Sequence, residues 1–128
     1  MKTDYQAEKN RAYKYLDGIA ERLYGYADTV RGTPELGFRE EKTSAFVEER
    51  MRALGLYNVR RVALTGVAAE LFPPRRGEER VCVIGELDAV LTPDCPYADR
   101  VTGAAHTCGH HIQIAELLGV AEALKNSG

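Results

Sequence analysis

Residues 80–88 read Arg-Val-Cys-Val-Ile-Gly-Glu-Leu-Asp, and the fold depends on how this run is taken. Val81, Cys82, Val83 and Ile84 form a nearly continuous apolar stretch, which fits a strand covered on both faces better than one alternating between core and water. This makes residues 80–87 the expected central strand. Upstream, 57–64 and 67–72 read as two further strands separated by Thr65-Gly66, a connection short enough for a hairpin. Pro73-Pro74-Arg75-Arg76-Gly77-Glu78-Glu79 is then a charged loop.

Helices flank these strands. In the first thirty residues Ala12, Leu16, Ile19, Ala20, Leu23, Ala27 and Val30 recur at spacings of three and four, the signature of one long amphipathic helix over about 3–30. Thr3 or Asp4 can cap its start, and Gly32 with Pro34 can end it. Gly18 and Gly25 weaken such a helix by about 1 kcal/mol each relative to Ala, so a bend or close backbone contact is expected there. A second helix is predicted over about 40–54, burying Phe46, Val47, Met51 and Leu54, with Glu41, Glu48 and Glu49 on its wet face. A third is predicted over about 112–125, presenting Ile114, Leu117, Leu118 and Ala121 on one side. Helices before and after short strands define an α/β layer arrangement.

Between the candidate strand and the last helix, residues 88–109 carry Pro93, Pro96, Gly103 and Gly109 and little periodicity. They read as a long loop, and loops of this length in compact domains are usually functional. It ends in His-Thr-Cys-Gly-His-His (106–111), which holds every histidine of the chain and one of its three cysteines. Soft and borderline ligands gathered so tightly point to a transition-metal site. Cys108 and His110 are two apart, so their side chains share a side on an extended segment and diverge on a helix. They are therefore expected before the helix, whose partly positive N-terminus favours the thiolate form that binds metal. Glu86 and Asp88 have the same spacing at a strand's carboxyl end, where ligands bind in open α/β sheets.

Blander readings stand beside these. Cys82 in an apolar run reads as core, Cys95 between prolines as incidental, and His106 as a loop residue. From spacing alone, Cys108 with His110 is equally a buried thiol beside a solvated histidine.

Four stretches together, Pro-Glu-Leu-Gly-Phe (34–38) with Glu40 and Lys-Thr-Ser (42–44), Leu-Thr-Gly-Val (64–67), Gly-Glu-Leu-Asp-Ala-Val (85–90) and Gly-Ala-Ala-His-Thr-Cys-Gly-His (103–110), resemble in that order the metal-dependent amidohydrolases related to aminoacylase, carboxypeptidase and aminobenzoyl-glutamate hydrolase. The resemblance implies an α/β fold, here a partial three-layer sandwich of a mixed sheet flanked by helices, like the start of a zinc-peptidase catalytic domain. It implies hydrolysis of an amide bond in N-acyl amino acids or similar small amides. Cys108 and His110 map onto metal ligands for zinc or manganese, with two ions in full-length relatives, and Asp88 onto the carboxylate that orients a ligand. The metal would polarise the substrate carbonyl and lower the pKa of an attacking water toward about 7, while a carboxylate base takes its proton.

The chain departs from that family twice. His111 stands where the family has Asp or Asn, either as an added ligand or as a replaced capping residue. The family's general-base glutamate, remaining ligands and smaller dimerisation domain lie beyond the matching part, so residues 1–128 are expected to be a single, incomplete catalytic domain. A sheet edge and apolar face left exposed there predict a homo-oligomer. The alternative is a non-catalytic metal-binding or assembly module that keeps the scaffold without the reaction. A thiol redox site at Cys108 is disfavoured because no second cysteine stands at Cys-x-x-Cys spacing.

Composition bounds the rest. The 128 residues suit one domain, and 45% hydrophobic with 28% charged residues is a soluble globular balance. No apolar run approaches the roughly 18 residues of a membrane span, and the polar N-terminus lacks a secretory h-region, so a cytoplasmic location is expected. Three cysteines, an odd number, argue against a disulfide framework. A formal charge of −2 with both signs interspersed gives no nucleic-acid footprint, leaving a small amide substrate or another protein as partner.

Overall fold

A computed structural model describes residues 4–127. Helix α1 spans Tyr5–Arg31, and each of the seven apolar positions that define its stripe is turned inward, with Ile19 and Val30 buried. Asp4 caps it by accepting the Ala7 N–H at 3.2 Å. Thr3, the other candidate cap, lies outside the described residues. Nothing approaches Gly18 or Gly25, so the close backbone contact expected at these glycines is not made.

Helix α2 spans Glu41–Ala53. Its first turn is satisfied from upstream: the Glu35 carboxylate accepts the N–H groups of Lys42 (3.0 Å) and Thr43 (2.8 Å) and the Thr43 hydroxyl (2.8 Å). Orphan N–H groups at a helix start need such partners. Strands β1 (Tyr57–Val62) and β2 (Gly66–Glu70) form the expected antiparallel hairpin. Its turn is held by α2, because Thr65 donates its hydroxyl to Glu40 (2.6 Å) and Ser44 donates to the Thr65 carbonyl. Glu48 is more than a wet-face residue, since Arg52 and Arg61 both donate to it and hold its carboxyl below the usual range.

The run 80–87 is not a central strand. It passes from the charged loop to Asp88 without a strand partner among the described residues, and Val81 (95% exposed) and Ile84 (81%) face solvent. Cys82, expected in the core, is exposed with them. The physical reason is that a strand buried on both faces needs neighbours on both sides, and the hairpin and α3 cover only its end, at Gly85 and Leu87.

The expected long loop is partly ordered by a second ladder. Strand β3 (Val90–Leu91) pairs antiparallel with β4 (Ala104–Ala105), and Leu36 bridges Ala89 in parallel. The chain is therefore α/β, with three helices and two small antiparallel sheets. Helix α3 spans His110–Asn126, starting two residues earlier than its periodicity suggested.

Val30, Val47, Met51, Ile114 and Leu118 form the core, so all three helices meet there. Tyr26 and Phe46 extend it edge to face, with centroids 5.7 Å apart. Helices α1 and α3 approach closely at Gly119, where a Cβ would come within 3.0 Å of Leu23. Along the same seam Glu122, 4% exposed, accepts from Arg22 and from the Tyr15 hydroxyl (3.1 Å). A buried carboxylate is tolerated only with such partners. No helix among the described residues is long and apolar enough to cross a membrane.

Leu118 is fully buried at the centre of this arrangement. Leu118→Ala should lower unfolding free energy by about 2–5 kcal/mol through lost burial and a residual cavity. Urea denaturation measures it, and a loss below about 1 kcal/mol would contradict the packing described.

Candidate metal site

The site is assembled where three stretches meet: the turn 34–38, the end of the 80–88 run and the start of α3. The carbonyl of Glu35 accepts the Ala89 N–H at 2.7 Å. Together with the Leu36–Ala89 bridge, this fixes the backbone next to Asp88. The same Glu35 caps α2 with its side chain, so one residue ties the site to the core.

Gly109 is the N-cap of α3 with φ +92°, a left-handed conformation that glycine adopts without a Cβ clash. It turns the chain sharply between Cys108 and His110. His110 is therefore the first residue of the helix and does not precede it, yet both side chains still reach Asp88. His110 Nδ1 lies 2.9 Å from the Asp88 carbonyl oxygen and 2.9 Å from Asp88 Oδ1. Cys108 Sγ lies 3.8 Å from the same carbonyl. On the far side of the ring, His110 Nε2 is 3.0 Å from Glu86 Oε2. Gln113, one turn on, accepts the Glu86 N–H at 3.1 Å and keeps that residue beside the helix.

Oxygen acceptors thus stand at both ring nitrogens, Asp88 at Nδ1 and the Glu86 carboxylate at Nε2. A ligating imidazole is typically held this way, by an oxygen acceptor on its other nitrogen. Cys108, His110 and Asp88, the three residues singled out from the sequence, are thus brought to one place, with a thiol and an imidazole of the kinds that bind transition metals. Among the described residues no group of three or more His, Cys, Asp or Glu side chains is arranged to hold an ion. The pair therefore falls short of the three protein ligands of a catalytic zinc.

The other two histidines lie elsewhere. His106, read from sequence as a loop residue, is 7% exposed, and neither of its ring nitrogens has a partner. Burial, reinforced by the neighbouring His111 and His110, lowers its pKa to about 4. His111 turns toward it, with ring centroids 5.5 Å apart. Burial and then the Arg31 guanidinium push the His111 pKa down. His111 neither caps the helix, a position taken by Gly109, nor joins Cys108 and His110. This pairing was missed by sequence reasoning, and its only signal was the five-residue separation across a glycine.

Cys95 is part-buried in the loop 92–103, where it lines a surface hollow of about 440 Å³ with Leu91, Pro93, Asp99 and Val101. That hollow shares no residue with Glu86, Asp88, Cys108 or His110. Asp99 closes the loop by accepting the N–H groups of Val101 (3.0 Å) and Thr102 (2.7 Å) and the Thr102 hydroxyl (2.9 Å).

No family model matches the chain, and no solved structure matches it. Among characterised sequences it is similar to YhaA of Bacillus subtilis, a protein named as an amidohydrolase, with 36% identity over 114 residues, covering 87% of this chain and 28% of the relative. It is also similar to an N-acyl-L-amino acid amidohydrolase of Geobacillus stearothermophilus, 29% identical over 117 residues, covering 89% and 31%. An N-acetyl-L-cysteine deacetylase of Bacillus subtilis is 33% identical over 118 residues, covering 89% and 26%. Over most of its length the chain is thus similar to proteins named as amidohydrolases. It spans less than a third of the length of each of these relatives.

Hydrogen bonds from Thr102 and Val101 lower the Asp99 pKa. Its folded value lies below its unfolded one, so its contribution to loop order is full above the unfolded pKa and is lost as pH falls through the folded one. In an NMR titration, the Asp99 carboxyl carbon should shift with a midpoint below the model-peptide value of 3.8, and the Val101 and Thr102 amides should move with it. A midpoint at or above that value would contradict the cap.

Proposed function

We propose that this chain supplies part of the active site of an amidohydrolase acting on N-acyl amino acids, in which Cys108 and His110 are two ligands of a zinc or manganese ion. Asp88 is the residue that positions His110. The observation that carries this reading is that Cys108 and His110 are both brought beside Asp88, which holds the imidazole at Nδ1. The names of the relatives support the reaction class.

In this reading Asp88 accepts the Nδ1 proton and so fixes which nitrogen is offered to the ion. Glu86, whose carboxylate stands at Nε2, gives way there to the ion or moves beside it as a further oxygen donor. The ion, when bound, polarises an amide carbonyl and makes water a better nucleophile. The further ligands and the proton-accepting carboxylate come from residues outside 1–128, so the domain is completed by other segments.

Tag-free protein should retain divalent metal by elemental analysis, and Cys108→Ala and His110→Ala should each lower its content by the ion held at that pair. Asp88→Asn should weaken affinity by about 10–100-fold, the usual cost of losing the partner of a ligating histidine. Equal metal content in all four proteins would refute the assignment. The chain by itself should not hydrolyse N-acetyl amino acids, and chelator-sensitive turnover by it would overturn the claim that it supplies only part of a site.

A second reading, a metal-binding or assembly module without turnover, is favoured by the absence of a third metal-ligating side chain among the described residues. Joining this chain to the downstream two thirds of a relative separates the two: turnover supports the enzyme, and metal binding without turnover the module.

The uncovered run at Val81, Val83 and Ile84 further suggests self-association by pairing with the same run of a second copy. Sedimentation at tens of micromolar should show a dimer or larger species that Val83→Lys dissociates. A monodisperse wild-type monomer would rule this out.

A further inference from the structure

His106 and His111 are not explained by the site at Asp88. His110 and His111 are consecutive residues of a helix, so their side chains leave it about 100° apart. His110 turns to Asp88 and Glu86, and His111 turns to His106. Three nitrogens there have no hydrogen-bond partner although all are buried: both of His106 and Nδ1 of His111. Buried polar atoms are nearly always paired, and orphans call for a ligand, an ion or a water.

The geometry points to an ion: we propose that His106 and His111 form a second site, separate from Cys108 and His110, for a borderline divalent cation such as zinc or cobalt. Two imidazoles on one tetrahedral ion, with metal–nitrogen bonds of about 2.0–2.1 Å, place their ring centres about 5 Å apart. The observed separation is 5.5 Å, with the ring planes inclined at 51°. Neutral imidazole is a favoured donor for such ions. The charges around the pair also suit a cation. Asp88 and Glu35 face His106 together with His110, and Asp28 faces His111 together with Arg31. His111 is only partly buried, which leaves a route for the ion and for the waters that complete its coordination.

Cobalt(II) distinguishes the two sites, because a thiolate ligand adds a sulfur-to-metal charge-transfer band that imidazoles do not. Metal-stripped, tag-free protein is titrated with Co²⁺ and followed by calorimetry and absorption. Cys108→Ala/His110→Ala should still bind one Co²⁺, with visible ligand-field bands and no charge-transfer band. Adding His111→Asn to that background should weaken the remaining site at least tenfold, and adding His106→Asn should do the same. His111→Asn, at a partly exposed position, keeps the test decisive if the buried His106→Asn fails to fold by circular dichroism. Binding that vanishes in the Cys108→Ala/His110→Ala protein, or that His111→Asn leaves unchanged, would overturn the proposal and leave the pair bridged by water. A missing charge-transfer band in wild type, with the second ion retained, would instead sink the Cys108–His110 assignment alone.

Discussion

The packing of α3 against α1 and α2 is the constraint on which the site depends. Leu118 and Ile114 lock the helix into the core, and Gly119 lets α1 approach it closely enough for Glu122 to reach Arg22 and Tyr15. Once that rod is fixed, the direction of its first turn is fixed too. His110 and His111 then have no freedom to exchange places. Side chains near a helix start inherit their aim from burial several turns away, which is why the core and the chemistry cannot be separated here.

Asp88 receives the opposite kind of support. It ends a run with no ladder of its own, and its position comes from Glu35 through the Ala89 N–H and the Leu36–Ala89 bridge. The Glu35 side chain meanwhile closes the first turn of α2. The Pro-Glu-Leu-Gly-Phe stretch thus has a structural meaning: a carboxylate for a helix, a carbonyl for a strand end, and a glycine at 37 whose added Cβ would stand 4.0 Å from the Asp88 side chain. Such a stretch can hold a site without touching a ligand.

The helices and the hairpin were legible in the sequence because their signals are local. Spacing of three and four along 12–30 gives α1 its inward face, and Thr65-Gly66 signals the hairpin, although the turn itself is 63–65 and Gly66 opens β2. The fate of 80–87 was not legible. An apolar run states that it needs cover on two faces, but the cover is long-range information that the run does not carry. Val81 and Ile84 consequently face water in this chain. The start of α3 misled for a different reason: periodicity begins at the first apolar residue, whereas the helix begins at His110, behind a left-handed glycine that no hydrophobic pattern registers.

The same glycine explains how six residues come to hold two chemistries. With Cys108 on one side of it and His110 on the other, a left-handed turn brings a thiol and an imidazole to one backbone oxygen even though His110 already belongs to the helix. His106, two residues before the cysteine, falls on the buried side of the same bend, and His111, one residue into the helix, rotates to meet it. A φ near +92° costs glycine little and a β-carbon-bearing residue considerably more. A substitution at Gly109 would therefore disturb both constellations at once, whereas substitutions at Asp88 or His111 disturb one each. That difference in reach, set by a single backbone angle, separates the residue that builds the region from the residues that do its chemistry.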